Sequence, residues 1–149
     1  MPDIKFYHLQ RQRLEEALPK LMEKVHEAGL RAHIKVSDAG AMDLLDKALW
    51  AFDPASFIPH GKEGGAHTHE QPVLLSLGDE NLNQATVLVL VNAVECPSIS
   101  EFDRCLYMFD GRDERIVAKA REDWTRLKDS GVQMSYWQQR EAGGWEQKA

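Results

Sequence analysis

Hydrophobic positions change their period several times along the chain, and each change predicts a secondary-structure element. Short apolar runs, which are typical of β-strands, occur at 5–9, 31–36, 72–77, 85–93, 106–110 and 132–137. Apolar residues repeat at helical spacing in three longer stretches, at 14–28, 38–52 and 112–130. The run at 85–93 has no polar alternation and is rich in valine, which predicts a strand buried on both faces.

The order of these elements predicts the fold class. Strands alternate with helices, so we expect a three-layer α/β/α sandwich around a mostly parallel, Rossmann-like sheet. No linker or internal repeat divides the chain, and residues 1–137 are predicted to form a single α/β domain. The remainder, 138–149, is polar and is expected to be a frayed C-terminal tail.

Composition and charge narrow the possible partners. The chain has 24 acidic and 18 basic residues and a net charge of −6, which argues against a surface that coats DNA and leaves room only for a local basic patch. Its two cysteines form no disulfide framework, and no apolar run reaches membrane-spanning length. The Asp-Ile-Lys start does not resemble a signal peptide, so we expect a cytoplasmic protein that makes no membrane contact.

A nucleotide-binding motif is absent. Neither Gly-x-Gly-x-x-Gly nor Gly-Lys-Ser/Thr follows any predicted strand. The turn after the first strand, 10–13, carries four long side chains, which we expect to keep backbone amides from closing around a pyrophosphate. Dinucleotide and nucleoside triphosphate chemistry is therefore not expected.

A histidine-containing segment raises an alternative function. His60, His67 and His69 could supply three imidazoles to zinc, as in a metal-dependent hydrolase. The segment is rich in glycine, however, and its spacing matches no standard zinc signature. The favoured interpretation is a solvated loop, and we expect no metal and no other cofactor.

Aromatic and basic residues form the remaining constellation. Trp50 and Phe57 flank Asp53–Pro54, which ends the second helix, while Arg121 and Trp124 are neighbours on one face of the third helix. This pattern suits an apolar pocket rimmed by arginine that holds an anionic peptide ending in an aromatic residue. The alternative is a solvated helix face with Trp124 in the core. On the first interpretation, Trp50 and Phe57 converge with Trp124. Further positive charge on this helix comes from Arg112, Arg115, Lys119, Arg126 and Lys128.

Motifs spread over most of the chain resemble the chi subunit family of bacterial DNA polymerase III. Each motif is weak alone, but their order and spacing are fairly specific. They are Phe6-Tyr7-x-Leu9, Gly29-x-Arg31, Asp46-x-Ala48-Leu49-Trp50, Ser56-Phe57-Ile58-Pro59-His60-Gly61, Pro72-Val73, Ala120-Arg121 with Trp124, and Gly131 before the last strand.

The resemblance implies a non-catalytic adaptor of the clamp loader. Such proteins bind the acidic C-terminal tail of single-stranded DNA-binding protein and join the psi subunit, so they reach DNA only indirectly. By this resemblance, Trp50 and Phe57 line the pocket for the terminal phenylalanine, and Arg121 pairs with the tail carboxylates. Trp124 replaces a common tyrosine, and Thr125 stands where a basic residue is often found. A helicase is a further candidate partner for the same surface.

Overall fold

The computed structural model describes residues 3–52, 58–65, 67–141 and 144–149. Eight strands in these ranges form one sheet of order β3-β4-β2-β5-β6-β1-β7-β8. Every neighbouring pair is parallel except β7 and β8. The strands are β1 Asp3–Leu9, β2 Ala32–Lys35, β3 His60–Lys62, β4 Val73–Ser76, β5 Val87–Val91, β6 Arg104–Asp110, β7 Gln133–Gln139 and β8 Trp145–Gln147. The α-helices are α1 Leu14–Glu27, α2 Ala39–Ala51 and α3 Glu114–Asp129.

Helices cover both faces of the sheet, which confirms the predicted α/β class. Tyr7 and Leu9 of β1 face a core that α1 and α2 complete. The intervening Phe6 points the other way, into a core shared with α3. Side chains alternate across a strand, so this one strand separates the two cores. The fully buried β5, predicted from its unbroken apolar run, also has residues in both.

Local sequence signals determine where the helices begin. Asp38 caps α2, accepting a hydrogen bond from the Ala41 amide at 2.8 Å. Asp113 caps α3 through the Arg115 amide at 3.0 Å. In α1, the Glu16 carboxylate reaches back to the Arg13 amide at 3.2 Å, just before the helix starts at Leu14.

The prediction of a frayed tail needs correction. Residues Trp145–Gln147 form β8 and pair antiparallel with the end of β7. The Trp145 ring meets Tyr7 edge to face, with 5.0 Å between ring centroids. A short polar segment is therefore held at the sheet edge because its one large apolar side chain packs on β1.

The turn after the first strand differs from the prediction that its long side chains keep the backbone amides apart. The backbone amides of Gln10, Arg11 and Gln12 do converge, at 3.2, 2.8 and 3.0 Å, on the Oε1 atom of the buried Gln139. The Gln139 amide nitrogen also donates to the Gln12 side chain at 2.8 Å. An internal carbonyl oxygen thus occupies the place after the first strand where dinucleotide-binding folds hold a phosphate.

None of the helices in the described ranges is long and apolar enough to cross a membrane.

Candidate functional site

The outer face of α3 carries an arginine that no acidic residue neutralises. The Arg121 side chain is exposed and makes no hydrogen bond or ion pair within the described ranges. It borders a shallow cavity of about 340 Å³ whose other walls are Gly111, Glu114, Val117 and Ala118. Arg121 is therefore available to an anionic ligand, and the cavity beside it has small apolar walls at Val117 and Ala118 and one acidic wall at Glu114.

Three other basic residues near this face already have acidic partners. Lys119 and Arg126 both bond the Asp123 carboxylate, at 2.7 and 3.2 Å. Arg112 pairs with Asp110 at 3.1 Å. These local pairs neutralise much of the positive charge counted from the sequence, which leaves Arg121 as the cation beside the cavity.

Asp123 anchors α3 to the sheet from below. It is 3% exposed and accepts a hydrogen bond from the Tyr107 hydroxyl at 2.6 Å, in addition to those from Lys119 and Arg126. Burial opposes its ionisation, but the hydrogen bonds from these three partners together lower the pKa of Asp123 below its usual range. The ionised carboxylate thereby holds α3 against β6 through its hydrogen bond with Tyr107.

Trp124, one turn from Arg121, is half-buried between strand aromatics. Its ring centroid lies 5.2 Å from that of Phe6 and 5.6 Å from that of Tyr136, both edge to face. The core packing of Trp124 is thus observed, and its part in a binding pocket stays a prediction. One side of the indole belongs to the core, and the rest is open beside Arg121.

His8 and Tyr136 lie within electrostatic reach of Arg121, and sequence reasoning missed them. The His8 Nδ1 atom lies 2.6 Å from the Tyr136 hydroxyl. Burial lowers the pKa of His8, and the positive charge of Arg121 lowers it further. Burial also raises the pKa of Tyr136. The two residues are 128 positions apart, so only the pairing of β1 with β7 brings them together.

The predicted convergence of Trp50 with Trp124 is wrong. Trp50 lies on α2, whose Leu45 and Leu49 pack in the core that contains α1, whereas Trp124 packs in the core on the other face. A helix break after α2 redirects only the backbone that follows it, so it cannot carry Trp50 through the sheet. Phe57, the remaining predicted pocket residue, lies outside the described residues.

Comparisons with known proteins identify the family. The family model for the DNA polymerase III chi subunit, HolC, matches residues 1–135. A Rickettsia prowazekii protein described as a probable DNA polymerase III subunit chi is 26% identical over 109 residues, which are 73% of this chain and 66% of that protein. The DNA polymerase III subunit chi of Haemophilus influenzae is 29% identical over 124 residues, which are 82% of this chain and 85% of that protein.

This chain belongs to the DNA polymerase III chi subunit family. The family and both relatives are described as the chi subunit of DNA polymerase III. The aligned part spans just under two thirds of the Rickettsia relative, and most of the Haemophilus relative.

The histidine segment of this chi-family protein does not favour the hydrolase alternative. His60 is buried, with Nδ1 donating to the Ile58 carbonyl at 2.8 Å and Nε2 lying 3.1 Å from the Asp46 carboxylate. His69 instead bonds the Leu82 carbonyl at 2.7 Å, and His67 is exposed. The described ranges contain no group of three or more histidine, cysteine, aspartate or glutamate side chains arranged to hold a metal.

Proposed function

We propose that this chi-family protein is a non-catalytic accessory subunit of the clamp loader. It binds the acidic C-terminal tail of single-stranded DNA-binding protein and links that protein to the psi subunit, at the replisome in the cytoplasm. The observation that carries the proposal is the unpaired Arg121, within the described ranges, beside the half-open indole of Trp124 on α3.

The chemistry of such a tail fits the α3 site. The α-carboxylate and the preceding aspartates require a cation, and a charge-assisted contact to a guanidinium is about twice as strong as a neutral hydrogen bond. Val117 and Ala118 offer small apolar walls in the same cavity. The Trp124 ring offers an aromatic surface to the terminal phenylalanine.

A second docking surface on the opposite face supports the linking role. Trp50 is 61% exposed and Leu44 is 50% exposed, and both lie on α2. Two large apolar side chains exposed on the same helix offer a partner protein apolar surface to bury. Trp50 thus remains a proposed protein-binding residue, but of a surface distinct from Arg121, with psi as the candidate partner. Phe57 remains a predicted binding residue.

Calorimetry with a peptide ending in Asp-Asp-Ile-Pro-Phe tests the tail site. A charge-assisted contact is worth ~1.5–3 kcal/mol, so Arg121→Ala should weaken binding about ten- to a hundredfold. Added salt should weaken wild-type binding as well, because the site is exposed. Arg115→Ala is the matched control, since it removes an exposed arginine from a different face of α3.

Equal affinities of wild type and Arg121→Ala at low salt, with unchanged melting temperatures, would contradict the proposed site. A loss of the same size in Arg115→Ala would instead indicate a nonspecific charge effect.

A further inference from the structure

A groove runs along α1 on the sheet face opposite α3. It consists of two adjoining cavities of about 280 and 200 Å³, which share Leu21 and Lys24. One cavity lies between α1 and the β7–β8 edge, and the other between α1 and β1 and β6. We call this feature the basic groove, after the six cations that line it: Lys5, Arg11, Lys20, Lys24, Arg104 and Arg140.

The charge of the basic groove is opposite to that of the whole chain. The chain carries a net charge of −6, yet Glu141 is the single acidic residue among the described residues lining the groove. Glu141 pairs with Arg11 at 2.6 Å through a side chain that is 89% exposed, so an incoming anion can displace it at little cost. Within the described ranges, the other five cations have no acidic partner within 4.0 Å.

One partly open aromatic ring stands among these cations, packed on a buried one. Trp145 lines the first cavity and Tyr7 the second, and their rings meet at 5.0 Å between the two. Trp145 is only partly buried, so part of the indole remains open to the groove. A positively charged groove with an aromatic side chain on which a base can stack is what single-stranded nucleic acid requires.

The walls of the groove are held in place before any ligand binds. Gln139 fixes the backbone on both sides of Arg11 through its three amide contacts. Lys20 and Lys24 are four residues apart on α1, which puts them about 6 Å apart along the helix axis. Such spacing lets adjacent lysines contact successive phosphates of an extended strand.

We propose that the basic groove binds single-stranded DNA directly, with phosphates on the lysine and arginine side chains and a base against Trp145. The open Trp145 ring favours a nucleic acid over a purely acidic peptide, since a run of aspartates or glutamates offers nothing to stack. It favours a single strand over a duplex because stacked bases within a duplex do not present their faces. This contact goes beyond tail binding and replaces the expectation that DNA is reached only indirectly.

Fluorescence anisotropy of a labelled oligothymidylate with the full chain tests the proposal. Lys20→Glu/Lys24→Glu should weaken binding at least tenfold at low salt. For each phosphate that the variant no longer neutralises, the plot of log affinity against log salt concentration should also become flatter by about 0.7. The matched control, Lys47→Glu/Arg115→Glu, makes the same change in net charge at exposed sites outside the groove and should bind like wild type.

A second variant, Trp145→Phe, tests the stacking contact. Its phenylalanine still packs an aromatic ring against Tyr7. Unlabelled oligothymidylate should quench the tryptophan fluorescence of wild type, and Trp145→Phe should lose most of that quenching and several-fold in affinity.

The proposal is overturned if the oligothymidylate fails to bind at low salt, or if both charge-reversal variants bind alike. It is also overturned if polyglutamate competes as well as DNA, because the groove is then a general site for acidic chains. The tail-peptide calorimetry should give wild-type affinity for Lys20→Glu/Lys24→Glu, so failure of one proposal is distinguishable from failure of the other.

Discussion

At the scale of single residues, the floor of the α3 site leaves no room for an added atom at Gly111. A Cβ built there would lie 2.6 Å from the Leu9 carbonyl oxygen and would overlap the His8 ring. The Leu9 carbonyl is part of the β1 backbone and cannot move away from the added atom. The His8 ring is held in place by its contact with Tyr136. The absence of a side chain at Gly111 is therefore what lets the β6–α3 turn close over β1.

Gly111→Ala should therefore lower the free energy of unfolding by about 1–3 kcal/mol, the usual cost of overpacking. Urea denaturation measures this change. Gly78→Ala is the control, since the nearest atoms to its new Cβ would be 4.0 Å away. A Gly111→Ala protein as stable as wild type would show that the turn relaxes freely.

His33 makes stability depend on pH. It is fully buried on β2, where burial lowers its pKa despite a hydrogen bond to the Gly78 carbonyl. Below about pH 6.5, His33 is protonated in the unfolded chain, whereas in the folded chain it stays neutral until a lower pH. The unfolded state then binds more protons, so stability falls as the pH drops, by at most about 1.4 kcal/mol per pH unit for one histidine.

His33→Gln keeps a donor for Gly78 but cannot titrate. Between about pH 7.5 and pH 5.5, this variant should lose less stability than wild type, as read from urea midpoints at both values. Identical losses in the two proteins would show that other groups cause the acid sensitivity. The buried His8 is one such group, because its pKa is also lowered.

At the scale of elements, α3 is held to the sheet by one buried carboxylate. Asp123 binds Tyr107 of β6 and also neutralises Lys119 and Arg126. Removing Asp123 leaves the Tyr107 hydroxyl buried without a hydrogen-bond partner. An unsatisfied buried group costs more free energy than the loss of a solvated ion pair. The helix that presents Arg121 and Trp124 thus depends on a residue that does not face the ligand.

Asp123→Ala should accordingly lower the free energy of unfolding by about 2–3 kcal/mol, most of it from the unpaired hydroxyl and the missing charged hydrogen bonds. Thermal and urea unfolding both measure this. The exposed Asp129 at the end of α3 provides the control, and Asp129→Ala should change stability by less than about 0.5 kcal/mol. Equal effects of the two substitutions would refute the anchoring role.

At the scale of the whole molecule, the sheet separates the exposed Trp50 from the half-buried Trp124. Trp50 lies over His60 on the α1–α2 face, with 4.7 Å between ring centroids, and Trp124 lies on the α3 face. Under the proposed function, two proteins bound at these sites would not compete. The sheet also keeps the basic groove, on the α1 side, separate from the α3 site.

Because residues that share no partner act additively, Trp50→Ala should leave the affinity for the tail peptide within about twofold of wild type. Trp50→Ala/Arg121→Ala should then bind the peptide like Arg121→Ala alone. Calorimetry on the four proteins completes this double-mutant cycle. A tenfold loss of peptide affinity in Trp50→Ala, with its melting temperature unchanged, would indicate that Trp50 and Arg121 belong to one binding pocket.

The period of the apolar residues was enough to predict most helices and strands. The helical stretches predicted at 14–28 and 38–52 begin within one residue of α1 and α2, and the unbroken apolar run predicted the doubly buried β5. Such features depend on neighbours a few residues away, so a local pattern records them. The sequence also singled out Arg121 and Trp124 as neighbours on one helix face, since helical spacing alone decides that.

Only the tertiary structure decided which elements meet. A helical pattern shows which side of a helix is buried, but not which face of the sheet it covers, so the predicted meeting of Trp50 with Trp124 was wrong. The contacts of Gln139 with the β1–α1 loop and of His8 with Tyr136 join residues more than 120 positions apart. They arise because strand order puts β1 beside β7, and strand order is a property of the whole chain rather than of any segment of it.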